Sequence, residues 1–324
     1  MEVPLGVAIR YRALPSNRQS TIGNRKFHQW APALLLGLGL LLSACAAAPK
    51  PVAAHKHFLW SVRSDAGATV YRLGSMHLAT KSLYPLDGAI EDAFSRSGTL
   101  VVEINPANEQ AAERAALIRQ QGLYTGGDTL KTKLSKETYA QVEARFKRLG
   151  IGMERLDTMK PWLVSIVLEI STLQQMGFDP RYGIDLHFAN QAKGRMRVAE
   201  LETVESQVHL FSDLSEQEQE LLLLYTLTDL DLLAGQIDQL TTAWRRGDLE
   251  AFQAVMVRER GAHPELEPLL HRLFEERNRR MAAQVEEYLK TPDTAFVVVG
   301  AGHLVGPGSI VDLLREKGYR VEQL

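Results

Sequence analysis

The 324-residue sequence contains a single cysteine, Cys45, so no disulfide can form within the chain. The core must therefore be held together by burial of apolar side chains. A metal site built from several thiolates is also excluded, and any bound metal has to rely on histidine and carboxylate ligands. The sequence also lacks a basic patch with interleaved aromatic residues, which argues against a nucleic-acid-binding surface.

The first 44 residues have the features of a bacterial lipoprotein signal peptide. Five basic residues precede an apolar run at 31–42, which is too short to span a bilayer but fits the apolar region of an export signal. The run ends in Leu42-Ser43-Ala44-Cys45, which resembles a lipobox, where the cysteine becomes the lipidated first residue of the mature chain. The alternatives are a signal anchor or a cleaved signal with a chance cysteine.

Lipidation of Cys45 predicts a membrane-anchored protein of the cell envelope. Ala46 stands where lipoproteins retained in the inner membrane often carry Asp, so this resemblance favours the outer membrane, with the protein facing the periplasm. Residues 45–56 are expected to form a tether, and residues 57–324 a single domain. Without residues 1–44 the chain carries 32 basic and 38 acidic side chains, a net charge near −6.

Short apolar segments at both ends of the mature chain predict β-strands, and the long middle predicts helices. The expected strands are 57–62, 69–73, 99–104, 195–201, 295–299 and 319–322. Helical spacing covers 85–97 and most of 107–180 and 204–290. The expected architecture is α/β: a mostly parallel central sheet flanked by helices, with a large all-helical insertion between the N- and C-terminal strand-rich parts.

Two copies of the pattern Gly-x-x-His lie at opposite ends of the mature chain, Gly74-Ser75-Met76-His77 and Gly300-Ala301-Gly302-His303. Each follows directly on a predicted strand and so places an imidazole beyond the carboxyl end of that strand, where open α/β sheets bind ligands. Gly74 and Gly300 would let the backbone approach a ligand closely. We therefore expect both histidines to contribute to one site.

Glu103 and Glu202 also follow predicted strands, so parallel neighbours would bring four polar side chains to one edge of the sheet. Imidazole and carboxylate groups are suitable ligands for Zn, Mn, Fe or Co in water-activating sites. A second carboxylate can act as general base or orient a ligand histidine. Each residue also has an ordinary structural interpretation, such as a salt-bridge partner for Glu103 or a helix N-terminal residue for Glu202.

Six motifs, taken in order, resemble the TraB/GumN (TraB/PrgY/GumN) family. The resemblance runs from about Phe58 to the C-terminus. The motifs are Leu73-Gly74-Ser75-Met76-His77, Val101-Val102-Glu103, Tyr182-Gly183-Ile184-Asp185, Leu201-Glu202-Thr203 with Gln207, Arg277-Asn278-Arg279-Arg280-Met281, and Val299-Gly300-Ala301-Gly302-His303-Leu304-Val305-Gly306.

This family is similar to the Tiki proteases, membrane-tethered metal-dependent enzymes that cleave peptides near their N-termini and use two Gly-x-x-His motifs and a Glu. The resemblance implies a divalent transition metal (Mn, Co, Zn or Fe) bound by His77 and His303. Glu103 would be a further ligand or the general base. The implied substrate is a peptide or another small amide or ester.

Four further residues are candidates by their place in these motifs. Arg277 and Asn278 match an Arg-Asn pair on a late helix of the family, implied to bind a carbonyl or carboxylate, with Arg277 stabilising developing negative charge. The charged run 275–280 is by itself typical of a solvated helix face. Glu202 is grouped with the catalytic candidates, and Asp185 lies in a family motif without an assigned role.

The resemblance also leaves functions other than hydrolysis open. The broader superfamily includes a haem-associated iron-uptake lipoprotein, and pheromone-shutdown members sequester peptide, so the histidine pair could hold haem or a peptide terminus without turnover. An assembly role in surface-polysaccharide export is a third alternative. The sequence does not indicate an oligomeric state.

Overall fold

The computed structural model describes residues 56–65, 67–107, 111–262 and 264–324. The predicted signal peptide, Cys45 and the tether up to residue 55 lie outside the described residues. Lys56 onward belongs to one compact unit.

Six strands form a single sheet in the order β4-β3-β5-β2-β1-β6. Four neighbours, β4, β3, β5 and β2, run parallel, and β1 and β6 extend the sheet by antiparallel pairing. The mostly parallel sheet is confirmed. The strands are Leu59–Arg63 (β1), Thr69–Ser75 (β2), Thr99–Val102 (β3), Arg197–Glu200 (β4), Ala295–Gly300 (β5) and Arg320–Gln323 (β6).

Helices fill the segments between the strands and confirm the α/β architecture. Most of them lie between β3 and β5 in sequence, on either side of β4. The α-helices are Gly88–Ser95 (α1), Ala111–Gly122 (α2), Leu130–Lys133 (α3), Lys136–Arg148 (α4), Met153–Leu156 (α5), Pro161–Gln175 (α6), Ile184–Ala192 (α7), Val204–Ser212 (α8), Glu216–Arg245 (α9), Leu249–Ala262 (α10), Glu267–Leu270 (α11), Glu276–Leu289 (α12) and Ile310–Glu316 (α13). None of the helices in the described part of the chain has the length and apolarity needed to cross a membrane.

The central strands are buried because helices cover the sheet. Residues 295–299 of β5 are at most 1% exposed, which explains the continuous apolar run of this strand. Phe296 packs in a cluster with Phe94 of α1 and Phe188 of α7, with ring centroids 4.8–5.5 Å apart. Met281 and Val285 of α12 belong to the same core.

The register of the parallel strands brings the two Gly-x-x-His motifs side by side. On β2 and β5, Gly74 lies opposite Val299 and Ser75 opposite Gly300. On the other side of β5 lies β3, with Val102 opposite Val298, so Glu103 emerges at the same edge. Backbone pairing continues past β4, where the Glu202 N–H donates to the Glu103 carbonyl at 2.9 Å. All four predicted polar residues therefore follow adjacent strand ends.

Helix α9 contacts the first Gly-x-x-His motif directly. Trp244, near the end of α9, donates from Nε1 to the Gly74 carbonyl at 2.7 Å. A side chain on Gly74 would be crowded, because its Cβ would lie 3.0 Å from Phe58 and 3.1 Å from the Ala301 backbone. The first motif is thus packed tightly against both β1 and the second motif.

Candidate metal centre

Three of the predicted ligands converge above Gly300, at the end of β5. A Cβ atom on Gly300 would lie 3.3 Å from Glu103 Oε1, 3.5 Å from His303 Cδ2 and 3.6 Å from His77 Nε2. Gly300 has no side chain, so this space stays open between the three groups. The open space is bordered by one carboxylate and two imidazoles.

His303 is buried and is fixed on the side away from Glu103. Its Nδ1 lies 2.7 Å from Asn278 Oδ1, and Asn278 Nδ2 donates to the Gly308 carbonyl at 2.9 Å. Because that second bond defines which amide atom is oxygen, His303 Nδ1 is the donor. The other nitrogen, Nε2, then carries a lone pair and lies 3.8 Å from Glu103 Oε1. Burial lowers the pKa of His303 to about 4, so the ring is neutral at pH 7.

His77 is held in the same way, but its ring is positively charged at pH 7 whereas that of His303 is neutral. Its Nδ1 lies 2.8 Å from Asp185 Oδ2, and Ser75 Oγ donates to Asp185 Oδ1 at 2.8 Å. The Asp185 carboxylate raises the pKa of His77 to about 10, even though the side chain is 59% exposed. Burial alone would raise the pKa of Asp185, but the charge of His77 keeps it below its ordinary value. Nε2 of His77 is left for the space above Gly300.

Asp185 reaches His77 because the start of α7 lies close to the loop that follows β2. Ile184, the first residue of α7, donates from its N–H to the Met76 carbonyl at 3.1 Å. A side chain on Gly183 would collide with the His77 carbonyl oxygen, so only glycine fits there. The Tyr-Gly-Ile-Asp motif therefore places a carboxylate against the first imidazole.

Glu103 is bound on both carboxylate oxygens. The Gly300 N–H donates to Oε1 at 2.6 Å, and the Arg277 guanidinium donates to Oε2 at 3.0 Å. The side chain is 6% exposed, so these two donors replace the water that a free carboxylate would bind. Oε1 is the oxygen that faces the open space.

Arg277 links Glu103 to Glu202. Its Nε and one terminal nitrogen donate to the two oxygens of Glu202 at 2.8 and 2.7 Å, and Gln207 donates to Glu202 at 2.9 Å. Burial would raise the pKa of Glu202, but the hydrogen bonds from Arg277 keep it below its ordinary value. The remaining terminal nitrogen of Arg277 donates to the Leu273 carbonyl at 3.1 Å.

The solvated-face interpretation of the charged run fits only some of its residues. The side chains of Arg279 and Arg280 are 62% and 58% exposed, whereas that of Arg277 is 11% exposed. Asn278 is also buried, and its amide is used by His303 and Gly308. The first two residues of the motif therefore face the site and the next two face water.

The donor set suits a divalent transition metal, although its ligands are not all at coordination distance. Ligand atoms each about 2.0–2.2 Å from one ion lie at most about 4.4 Å apart, and the 3.8 Å between His303 Nε2 and Glu103 Oε1 falls within that limit. In the described residues, no three His, Cys, Asp or Glu side chains already form a metal-binding group. His77 is the most exposed of the three proposed ligands.

Three residues near the site have no role in the sequence-based predictions. Ser75 binds Asp185, Gly183 allows the approach of α7, and Phe274 packs on the His303 ring at a centroid distance of 5.4 Å. Ser75 and Gly183 lie inside the motifs quoted above, and that position in the sequence could have identified them as residues near the site. Phe274 carries no pattern that distinguishes it from an ordinary core residue.

The chain is similar in sequence to several known proteins. A Treponema pallidum protein described as uncharacterized is 23% identical over 290 residues, covering 84% of each chain. The uncharacterized protein YbaP of Escherichia coli is 22% identical over 265 residues, or 80% of this chain and 94% of YbaP. The metalloprotease TIKI homolog of Amphimedon queenslandica is 22% identical over 324 residues, or 84% of this chain and 62% of that protein.

No solved structure gives a significant match to the chain. The model of the TraB/PrgY/gumN family matches residues 58–323. That match covers nearly the whole sheet and both Gly-x-x-His motifs, and the chain therefore belongs to the TraB/PrgY/gumN family.

Proposed function

We propose that the protein is a metal-dependent hydrolase that cleaves peptide bonds or related small amides and esters. The observation that carries this proposal is the convergence of His77 Nε2, Glu103 Oε1 and the His303 ring on the open space above Gly300. This space lies at the carboxyl edge of four parallel strands, the usual place for a site in an open α/β sheet.

Two imidazoles and one carboxylate would hold a divalent transition metal (Mn, Co, Zn or Fe) and leave coordination positions for water and substrate. When bound, the ion would supply a nucleophile at neutral pH by lowering the pKa of its water. His303 is already a neutral ligand, with its lone pair on Nε2. Glu103 offers Oε1 either as a further ligand or as a general base.

The remaining residues act through these three. Asp185 and Asn278 each bind the Nδ1 of a histidine and so fix which nitrogen faces the metal. Glu202 and Gln207 hold Arg277, and Arg277 neutralises the buried Glu103. We further propose that Arg277 stabilises negative charge that develops on the substrate carbonyl.

The relatives support hydrolysis at the level of the family. The metalloprotease TIKI homolog of Amphimedon queenslandica and the human metalloprotease TIKI1 are each 22% identical to this chain. The chain spans 61–62% of their length, so the proposal extends to the bond type and leaves their substrates aside.

The test removes each proposed ligand in turn. We expect His77→Ala and His303→Ala to lower both the bound Mn, Co or Zn, measured by elemental analysis, and the cleavage of a mixed peptide library, measured by mass spectrometry. His209→Ala is the control, since His209 pairs with Asp213 on the surface and not with the site. Ligand variants that keep the full metal content would refute the metal site.

The same experiment separates hydrolysis from binding alone. Metal bound through His77 and His303 without any product, together with tight binding of peptide or a visible haem absorbance on adding haemin, would identify a binding protein instead. Cleavage that disappears on chelation and returns with one metal supports the hydrolase.

We also propose that the protein is anchored to the outer membrane through a lipid on Cys45 and faces the periplasm. The support is the sequence Leu42-Ser43-Ala44-Cys45 after an apolar run. Cys45→Ser should abolish labelling with radioactive palmitate and move the protein from the membrane fraction to the soluble fraction or leave it unprocessed. A variant that is still labelled would refute lipidation at this residue.

A further inference from the structure

A cavity with a volume of about 400 Å³ adjoins the second Gly-x-x-His motif and has no assigned role. This volume lies within the range of ligand pockets, roughly 300–1,000 Å³. Asn278, which binds His303, and Gly302, within the motif itself, both line it. A Cβ on Gly302 would lie 3.3 Å from Phe274 and 3.4 Å from Met256, so the cavity wall touches the motif directly.

The wall of this cavity is mostly apolar and is built by helices α9 and α10 and the segment leading into α12. Leucine, valine and phenylalanine are the commonest apolar side chains in it. Representative lining residues are Leu222, Leu230, Leu240, Met256, Leu273 and Phe274. Such a wall favours an apolar occupant, because contact with it removes apolar surface from water.

The two charged side chains in the wall are both acidic. Glu275 is paired with His271 at 3.3 Å. Glu169 of α6, by contrast, makes no hydrogen bond or ion pair with any residue that the structure describes. Its side chain is exposed within the open cavity, although enough protein surrounds it to raise its pKa.

Because no described side chain pairs with it, the Glu169 carboxylate can pair with a cationic group of a ligand in the cavity. The positive charge of His77 partly offsets the effect of burial on the pKa of Glu169. The cavity therefore adjoins the proposed site at His303, because Asn278, which binds His303, and Gly302 both line it.

We propose that this cavity is the substrate pocket of the site and takes an apolar group that carries a positive charge, with Glu169 pairing with the cation. This inference rests on the proposed function and adds its substrate class: a peptide in which a large apolar side chain stands next to a cationic group. The cation is either a free amino terminus or a basic side chain, and both have the same chemistry toward a carboxylate.

The first test measures binding to the chelated full chain, so it does not depend on a metal or on turnover. The probes are 4-phenylbutylamine, its neutral analogue 4-phenylbutanol and the anion 4-phenylbutyrate, studied by calorimetry. We expect the amine to bind most tightly and the anion most weakly. Equal affinities, or preference for the anion, would overturn the proposal and favour an acyl chain or a purely apolar ligand.

Variants identify the partner of the cation. Glu169→Gln keeps the shape of the side chain and should weaken binding of the amine roughly ten-fold, while the alcohol is unaffected, because a hydrogen bond to a charged group is lost. Glu143→Gln on the outer surface of α4 is the matched control and should change neither. An unchanged affinity for the amine in Glu169→Gln would refute the role of this residue.

Thr226→Phe adds bulk to the cavity wall and tests the location of the probe. It should lower the affinity for all three compounds while Glu169→Gln lowers only that for the amine. Full binding to Thr226→Phe would place the probes elsewhere and overturn the proposal.

A second experiment with metal-loaded protein distinguishes the two sources of the cation. Peptides with Phe beside a free amino terminus are compared with their acetylated forms, and peptides with Phe-Lys with those containing Phe-norleucine. Selective loss of binding on acetylation assigns the amino terminus, and loss on removing Lys assigns the side chain. Probe binding without any cleavage would refute the hydrolase alone, whereas cleavage with no dependence on Glu169 would refute the pocket alone.

Discussion

The two histidines of the site have the same hydrogen-bond arrangement, but their pKa values are shifted in opposite directions. In each, Nδ1 is bound by a side chain from another element, Asp185 for His77 and Asn278 for His303, and Nε2 is left for the space above Gly300. The charged partner raises the pKa of His77 to about 10, and burial lowers that of His303 to about 4. Since metal ligands must be deprotonated, His303 would bind the proposed ion directly at neutral pH, whereas His77 would first have to release a proton.

Replacing Asp185 tests whether it positions the first imidazole. Asp185→Asn should weaken metal affinity by about 10–100-fold, the usual effect of losing a partner of a ligand histidine, with the fold intact. Asp213→Asn breaks a similar 2.9 Å pair with His209 on the surface and should leave metal affinity unchanged. Calorimetric titration measures both, and equal affinities in the two variants would contradict the role of Asp185.

Replacing Gly300 tests the open space itself. In Gly300→Ala the new methyl group would lie 3.3–3.6 Å from all three proposed ligand residues and occupy the place of the ion. We expect at least a ten-fold loss of bound metal in a folded protein, measured by elemental analysis and circular dichroism. Gly98→Ala, where a Cβ meets nothing within 4 Å, is the control. Undiminished metal binding in Gly300→Ala would move the site elsewhere.

The sequence predicted the central residues of this arrangement, and the family motifs also contain Asp185 and Asn278, but neither was predicted to orient a histidine. His77, Glu103, Glu202 and His303 could be found because each follows an apolar strand. Ser75 and Asp185 act through a contact between β2 and α7, which lie more than a hundred residues apart. A pairing of that kind depends on how a helix packs, and no local pattern records it.

At the scale of the elements, helix α12 divides its charged residues between the site and water. A π-helical turn at His271–Glu275 precedes it and supplies both Phe274, which packs on His303, and the Leu273 carbonyl, which accepts from Arg277. Such turns are rare in proteins overall, and many of those that occur lie at functional sites. Residues 275–280 are all charged or amide residues, so the sequence alone does not indicate which of their side chains face the protein interior.

Removing the charge of Arg277 should destabilise the protein strongly. Arg277→Met would leave Glu103 and Glu202 buried without their counter-ion, which costs about 3–5 kcal/mol when a buried pair is broken from one side. Arg280→Met on the exposed face of the same helix should change the free energy of unfolding by about 0.5 kcal/mol or less. Urea denaturation compares the two, and equal losses would contradict the buried network.

At the scale of the whole molecule, the sheet joins strands from both ends of the described part of the chain. Strands β2 and β5 are central neighbours, although most of the helices lie between them in sequence. The strands themselves could be predicted from apolar runs and the helices from their periodicity. The order β4-β3-β5-β2 could not, because the sequence records which segments are strands but not which neighbours they choose.

Metal binding should stabilise the entire fold, since its ligands come from distant parts of the chain. An ion that binds only the native protein adds about 2.7 kcal/mol at a hundred times its dissociation constant. We expect added Mn, Co or Zn to raise the Tm of the chelated wild-type protein and to have little effect on His303→Ala. A Tm that does not respond to any of these metals in the wild type would contradict the proposed centre.

The position of β5 beside β2 also has a consequence during synthesis. The ribosome releases His77 and Glu103 early, but the segment with Gly300 and His303, at and just after the end of β5, emerges only after all the large helices. A growing polypeptide therefore holds only His77 and Glu103 of the proposed centre until the segment with Gly300 and His303 has been made.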